Sequence, residues 1–242
     1  MNRKAQLVGR CIGWLGLTTT MLAMLLVNAV TIPAFSAGNT QEAEQFVEKS
    51  RFTLEDFISD ANMEAFRDLI TRAKGIYIAP QVLKGAFIIG ASGGSGVLLV
   101  KEEKTRTWSG PAFYTVGGAS FGLQIGGQAS EVILLAMTDR GVTALLSNSV
   151  KLGADVGVAA GPIGVGVSAS SANLSVDILS FSRSKGLYGG VSLDGAVVAV
   201  RDSLNEQYYG KKVTPMDILV RRTAKNPHSE SLIASVAKAT SK

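Results

Sequence analysis

The chain has 242 residues, 46% of them hydrophobic and 18% charged, a balance that supports one packed domain of ordinary size plus appendages and excludes a disordered polymer. Three of the 24 bases, Arg3, Lys4 and Arg10, lie in an acid-free N-terminal stretch, and the remaining 21 face 19 acids, so charge gives no reason to expect nucleic acid as a partner. The one cysteine, Cys11, lies in that stretch and the one histidine, His228, near the other end, so disulfides, thiol catalysis, a clustered metal site and a cofactor are not expected.

Residues 1–37 carry the three parts of a secretory signal: a basic start, an apolar run from about Ile12 to Val30, and the small-residue exit Pro33-Ala34-Phe35-Ser36-Ala37. Cleavage after Ser36 places Ala34 at the −3 position, whereas cleavage after Ala37 places Phe35 there and fits less well. The apolar run is also near the length that spans a bilayer, so an uncleaved membrane anchor is the alternative. The expected location is outside the cytoplasmic membrane: periplasmic, envelope-associated or secreted. Cys11 precedes the apolar run, which does not suit a lipoprotein.

Residues 39–74 read as helical. Leu54, Phe57, Ile58 and Ala61 fall on one face. Asn62 is positioned to cap a second helix whose apolar side is Met63, Phe66, Leu69, Ile70 and Ala73. Eight of the 19 acids lie between Glu42 and Asp68. They favour a helix pair packed on a sheet over one lying in a membrane surface, where Lys and Arg usually dominate the polar face.

From residue 75 to 200 the period switches, and 22 of the 27 glycines fall there. Ile76 to Ile78 read as a strand ending at Pro80. Phe87 to Ile89 and Val97 to Val100 read as strands joined by a glycine loop over residues 90–96. Lys101 to Arg106 form a charged turn. Trp108 to Thr138, with a Gly every four or five residues, reads as a curved antiparallel pair at the centre of the sheet. Asp139 is the expected cap of a short helix to Leu146. Small-residue strands follow, broken at Gly161-Pro162, with a turn at Asp194-Gly195. Residues 201–209 and 214–222 read as short helices, and 223–242 as a basic, flexible tail.

Gly90-Ala91-Ser92-Gly93-Gly94 matches G-x-S-x-G, but a strand follows where a hydrolase has a helix, and His228 lies in the tail. A serine hydrolase using Ser92 is therefore only a remote alternative. Gly161 to Gly166 opens no helix and is not a phosphate loop. From residue 70 onward 18 bases outnumber 11 acids, and they gather at turns: Lys101, Lys104 and Arg106; Arg183 and Lys185; Lys211 and Lys212; Arg221, Arg222 and Lys225. Two such turns at one end of the sheet would make an anion-binding rim; the alternative is solvated turns with no partner.

Several short motifs occur together in order: Ala73-Lys74-Gly75 with Ala79-Pro80; Gly93 to Gly96; Trp108-Ser109-Gly110-Pro111; Gly122 to Gly126; Gly153-Ala154-Asp155; Ala160-Gly161-Pro162; Ser182 to Gly190, including Gly186 and Gly189; Asp194-Gly195; and Asn205 through Gly210. Over residues 60–220 the chain resembles the SYLF domain, also called the Ysc84-type actin-binding domain. The resemblance implies an α+β fold, with a curved, barrel-like, mainly antiparallel sheet and N-terminal and peripheral helices. It also implies a lipid-binding module rather than an enzyme, since eukaryotic members bind phosphoinositides and fungal ones bind and bundle actin. Exported bacterial members share this layout, and outside a bacterium neither actin nor phosphoinositide is expected. The expected partner is an anionic phospholipid or fatty acid, met through Lys101, Lys104, Arg106, Arg183 and Lys185. A role as an envelope protein-interaction module is the alternative.

Overall fold

Alternating side chains decide where the core lies. Ile76 and Ile78 project to one side of their strand, Tyr77 and Ala79 to the other, and all four are buried, so this part of the sheet is covered on both faces. A computed structural model describes residues 35–86, 89–121, 126–173, 175–184, 187–189 and 193–241. The chain divides into two units, Met1–Ala37 and Gly38–Lys242. The targeting segment expected over residues 1–37 lies outside the described residues, apart from the helical start at Phe35.

Helix α1 spans Phe35–Ser59, and a 3-10 turn over Ala61–Met63 leads into α2, Glu64–Ile70. Strands β1 Gly75–Ala86, β2 Ile89–Lys101, β3 Trp108–Phe121 and β4 Gly126–Ala136 follow. After α3, Asp139–Leu146, come β5 Ser149–Lys151, β6 Val158–Ala160, β7 Ile178–Ser184, β8 Leu187–Gly189 and β9 Val197–Val200. Helix α4, Asp202–Tyr209, a single π turn at Met216–Val220 and helix α5, Glu230–Thr240, complete the chain.

Among the described residues the strands form one sheet in the order β5-β9-β3-β2-β1-β4-β7-β6, with β8 also on β7. All pairs are antiparallel except β6 with β7. The expected pairing of the two halves of residues 108–138 is corrected: β3 lies beside β2 and β9, β4 beside β1 and β7. The β1–β2 hairpin sits between them, which makes β3-β2-β1-β4 a Greek key.

Strands β5 and β6 occupy opposite ends of this order, yet only residues 152–157 separate them. Those residues turn tightly, with a bridge from Leu152 to Val156, so the sheet has to curl until its edges nearly meet. The result is the curled half-barrel that the α+β expectation describes. Tyr77, Leu98, Tyr114, Leu134, Leu152 and Val156 fill its inside. The outer face carries Ile76, Leu99, Phe113, Ile133 and Phe181 beneath α1, α2, α4 and α5.

Pro80 does not end β1. The strand passes through it with a shift of register between Ile78 and Gln81, because Pro has no N–H for the ladder and is accommodated at a bulge. The same bulge corrects the glycine loop expected at residues 90–96, which is continuous strand. A Cβ at Gly94 would stand 2.3 Å from the Gln81 carbonyl oxygen, and one at Gly96 2.4 Å from that of Ile78. These glycines admit a neighbouring backbone rather than breaking the strand.

Helix α1 buries Ala43, Val47, Ser50, Leu54 and Phe57, while Ala61, expected on that face, is exposed. The chain turns at Asp60, whose carboxylate accepts from Asn62 N at 2.9 Å, so Asp60 is the cap and Asn62 the capped residue. The expected α2 face is all buried, and Phe66 meets Phe57 and Phe181 edge-on at 5.5 and 5.1 Å. At α3 the cap is Thr138, whose Oγ1 accepts from Gly141 N at 3.0 Å; Asp139 pairs with Lys74 instead.

The tail expected to be flexible holds α5, with Leu232 and Val236 fully buried. Trp108 Nε1 donates to Thr240 Oγ1 at 3.0 Å. The apolar residues at 232, 233, 236 and 239 dock the helix, their spacing outweighing the polar composition of the tail.

Two buried hydroxyls inside the half-barrel, those of Tyr77 and Tyr114, have no hydrogen-bond partner among the described residues. Their rings stand nearly perpendicular, 6.5 Å apart, and burial pushes both phenols well above their ordinary pKa. An unpartnered buried hydroxyl costs desolvation with no return. Tyr77→Phe and Tyr114→Phe are therefore expected to leave the melting temperature unchanged or raise it by a few degrees; a fall of that size in calorimetry would show that the hydroxyls have partners.

Candidate functional site

The bases proposed from sequence separate into two places. Lys101 ends β2, and Lys104 and Arg106 lie in the turn to β3. Glu102 N donates to Thr107 O at 2.9 Å, Arg106 N to Glu102 O at 2.8 Å, and Arg106 takes a positive φ of 58° to close the turn. Lys101 Nζ lies 5.8 Å from the centre of the Trp108 ring; burial, then Arg106, lowers its pKa.

A second basic segment joins this turn. Arg222 donates to Glu102 Oε2 at 2.6 Å and to Thr107 Oγ1 at 3.0 Å. Ser109 Oγ donates to Leu219 O at 2.6 Å, which holds the π turn against the start of β3. Ile218 and Leu219 are buried beneath it, while Met216 and Val220 are 39% and 48% exposed. One end of the half-barrel thus carries two exposed apolar side chains together with Lys74, Lys101, Lys104, Arg106, Lys211, Lys212, Arg221, Arg222 and Lys225, against Glu102, Glu103, Asp139 and Asp217. Lys104, Arg106, Lys212 and Lys225 are exposed and form no ion pair among the described residues.

Asp217 organises the π turn. Its carboxylate accepts from Thr214 Oγ1 at 2.6 Å and Thr214 N at 3.0 Å, and from Arg221 at 2.9 Å. The Thr214 hydrogen bonds, with Arg221 adding, hold its pKa at about 2, below its ordinary 3.8. Because the folded value is depressed, the contribution is fully present above 3.8 and fades as pH falls towards 2. The Thr214 amide resonance is expected to hold its position down to about pH 4 and move below it. Asp217→Asn should abolish that movement; its persistence would place the titration elsewhere.

Arg183 is not part of this end. It lies on β7 opposite Glu131 of β4, donates to Glu131 Oε2 and Asp56 Oδ2 at 2.7 Å each, and reaches Asp60 at 4.0 Å. This correction divides the single rim expected from sequence, since Arg183 is spent tying α1 to the sheet. Lys185 lies outside the described residues. Beside this tie a cleft of about 690 Å³ opens between α1 and the sheet, lined by Lys49, Phe52, Thr53 and Asp56 and by Pro80, Gln81, Ala129, Ser130, Glu131, Arg183 and Ser184.

The structural motif residues stand at close contacts. Trp108 anchors α5. Gly110, at φ 135°, lies against Leu98 O, and the Pro111 carbonyl accepts from Tyr209 at 2.8 Å. Gly126 pairs with Ala86 and Gly189 with Ser182. A Cβ at Gly161 would strike the Phe181 ring at 2.2 Å, and Pro162 follows it beyond β6. Gly122 and Gly186 lie outside the described residues.

Ser92 and His228 have separate neighbours. Ser92 Oγ donates to Gly118 O across β3. His228 stands by Tyr208 at 3.5 Å and Glu48 at 4.0 Å. Among the described residues no group of three His, Cys, Asp or Glu is placed to hold a metal.

A curled sheet with helices outside it, basic turns at one end and the Trp-Ser-Gly-Pro and Ala-Gly-Pro motifs at contact points is the class of domain the resemblance implies. Residues 117–239 match the family described as Ysc84, Las17-binding protein actin regulator. The chain is 32% identical over 170 residues to "Protein YSC84" of Saccharomyces cerevisiae, covering 68% of this chain and 36% of that protein. It is 31% identical over 166 residues to the human "SH3 domain-containing YSC84-like protein 1", covering 68% and 48%. "LAS seventeen-binding protein 3" of yeast is 30% identical over 206 residues, 83% of this chain and 44% of that protein. The chain belongs to the Ysc84, or SYLF-domain, family. It spans less than half the length of these relatives.

Proposed function

We propose that the chain is an exported, non-enzymatic module that docks on anionic lipid surfaces through the end of the half-barrel carrying the β2–β3 turn and the π turn. One observation carries the reading: Met216 and Val220 are exposed at the end where cations that form no ion pair among the described residues gather. Apolar side chains that enter the interface, flanked by Lys and Arg, combine buried area with attraction to acidic headgroups. Membership of the family supports lipid as the partner class.

Flotation of the full chain with phosphatidylglycerol vesicles and with phosphatidylcholine vesicles tests it. Binding to the anionic vesicles alone at low salt, weakened by added salt, is expected; equal binding to both, or none to either, rejects it. A second reading is favoured by the names of the relatives, which describe binding to Las17: the same end contacts an acidic protein of the envelope. Capture of such a protein with no vesicle binding would support that reading instead.

A further inference from the structure

Three methionines fall among the described residues, and their surroundings differ. Met63 is fully buried in the outer core, Met137 is half-buried against it, and Met216 is 39% exposed. The one cysteine, Cys11, lies outside the described residues, so among them Met216 is the one exposed sulfur. It is the first residue of the π turn, four positions before Val220, and the two form the apolar pair at the basic end. The turn does not depend on the Met216 side chain. Ser109 Oγ holds it through Leu219 O, Asp217 closes it through Thr214, and Arg221 N donates to the Met216 carbonyl at 2.8 Å. Ile218 and Leu219 are its buried anchor. A chemical change at the Met216 sulfur therefore alters what the turn presents and spares how it is held.

We propose that Met216 is an oxidation site through which hydrogen peroxide switches off docking at this end; the inference rests on the docking reading. The thioether sulfur attacks one oxygen of the peroxide. The O–O bond breaks, an S–O bond forms, and the second oxygen leaves as water once a proton has moved to it. The sulfur gives up two electrons to the peroxide, so thioether and hydrogen peroxide become sulfoxide and water. The product is a polar, hydrogen-bond-accepting side chain in place of an apolar one. A thioether gains by leaving water, whereas a sulfoxide entering an interface has to shed its hydration. The cations around it are untouched, so the oxidised chain keeps its long-range attraction to an anionic surface and loses half of the apolar pair that anchors it. Methionine sulfoxide reductases reverse the step: two thiols become a disulfide, and the sulfoxide oxygen leaves as water. Exposure directs the oxidant to Met216 before Met63 or Met137.

The test is limited treatment of the full chain with hydrogen peroxide, followed by peptide mass mapping and by flotation with phosphatidylglycerol vesicles. Met216 is expected to gain one oxygen several times faster than Met63 or Met137, with the circular dichroism spectrum unchanged. Binding of the oxidised chain should be about tenfold weaker. The two methionine sulfoxide reductases, one for each epimer, should restore it in the presence of dithiothreitol. Met216→Leu removes the sulfur: whatever its starting affinity, peroxide should leave that affinity where it was, which also separates Met216 from Met1, Met21 and Met24 of the N-terminal stretch. Oxidation of Met216 no faster than that of Met63, unchanged vesicle binding by the oxidised chain, or an equal loss in peroxide-treated Met216→Leu overturns the switch. Each of these, with the untreated chain bound to the vesicles, leaves the docking reading standing. No vesicle binding before treatment rejects that reading, and the switch with it.

Discussion

Binding to phosphatidylglycerol vesicles is expected to fall by about two orders of magnitude or more when Lys104, Arg106 and Lys212 are all changed to Glu. All three are exposed and none forms an ion pair among the described residues, so the fold should not change. Each cation close to an anionic bilayer contributes about 1 kcal/mol, so losing three removes about 3 kcal/mol, and reversal adds repulsion. The effect should shrink as salt rises, because the screening length drops from about 10 Å at 0.1 M to about 3 Å at 1 M. Lys151→Glu is the control. Lys151 is also exposed, but β5 holds it opposite Val197 in the other half of the sheet. A comparable loss from Lys151→Glu would mean that net charge, and not one end of the molecule, drives the association.

Gly96→Val is expected to cost at least about 3 kcal/mol, near the whole stability of a marginal domain. The added Cβ would lie 2.4 Å from the Ile78 carbonyl oxygen and 2.8 Å from the Tyr77 ring. The first is backbone of the adjacent strand, and it cannot step aside without moving the bulge at Pro80. Gly93→Ala, three residues earlier in the same strand, meets nothing within 4 Å and should be neutral or stabilising by about 0.5 kcal/mol. Denaturant midpoints compare the two directly. Similar losses at both positions would show that the glycines matter as a class and not through individual contacts.

These two glycines also mark where sequence reasoning reached its limit. The run from Gly90 to Gly96 looks like a loop because composition registers flexibility and cannot register a backbone approaching from the next strand. That approach depends on Pro80, which alone suggests a strand end. The buried side of α2 was legible because Met63, Phe66, Leu69, Ile70 and Ala73 repeat at helical spacing, and packing obeyed that period. Strand character was legible from apolar runs at 76–78, 97–100 and 132–136, but not through Pro80 or over residues 90–96. Strand partners were not, since β3 and β4 are adjacent in sequence and separated by a hairpin in space.

At the candidate site the basic turns were visible as local runs, but their grouping was not. Arg183 looks like Lys104 in sequence and differs only in having Asp56 and Glu131 beside it, residues 127 and 52 positions away. Arg221 and Arg222 were noted as bases with no place assigned to them. The signal that could have promoted them is the apolar pair Met216 and Val220 four residues apart, with Ile218 and Leu219 available to anchor the turn between them. The C-terminal tail was misjudged because polar composition outweighed the spacing of Leu232, Ile233, Val236 and Ala239.

The tight turn at residues 152–157 has a consequence for how copies of this chain behave at high concentration. Each border strand of the sheet is three residues long, and both are strapped to one another by the same few residues, so neither offers a long row of open amides to a neighbouring chain. Short length, Lys151 on β5 and Pro162 just beyond β6 together disfavour edge-to-edge pairing. Cleavage of the strap at Gly153 or Ala154 is expected to release both borders at once and leave them open to pairing with another chain.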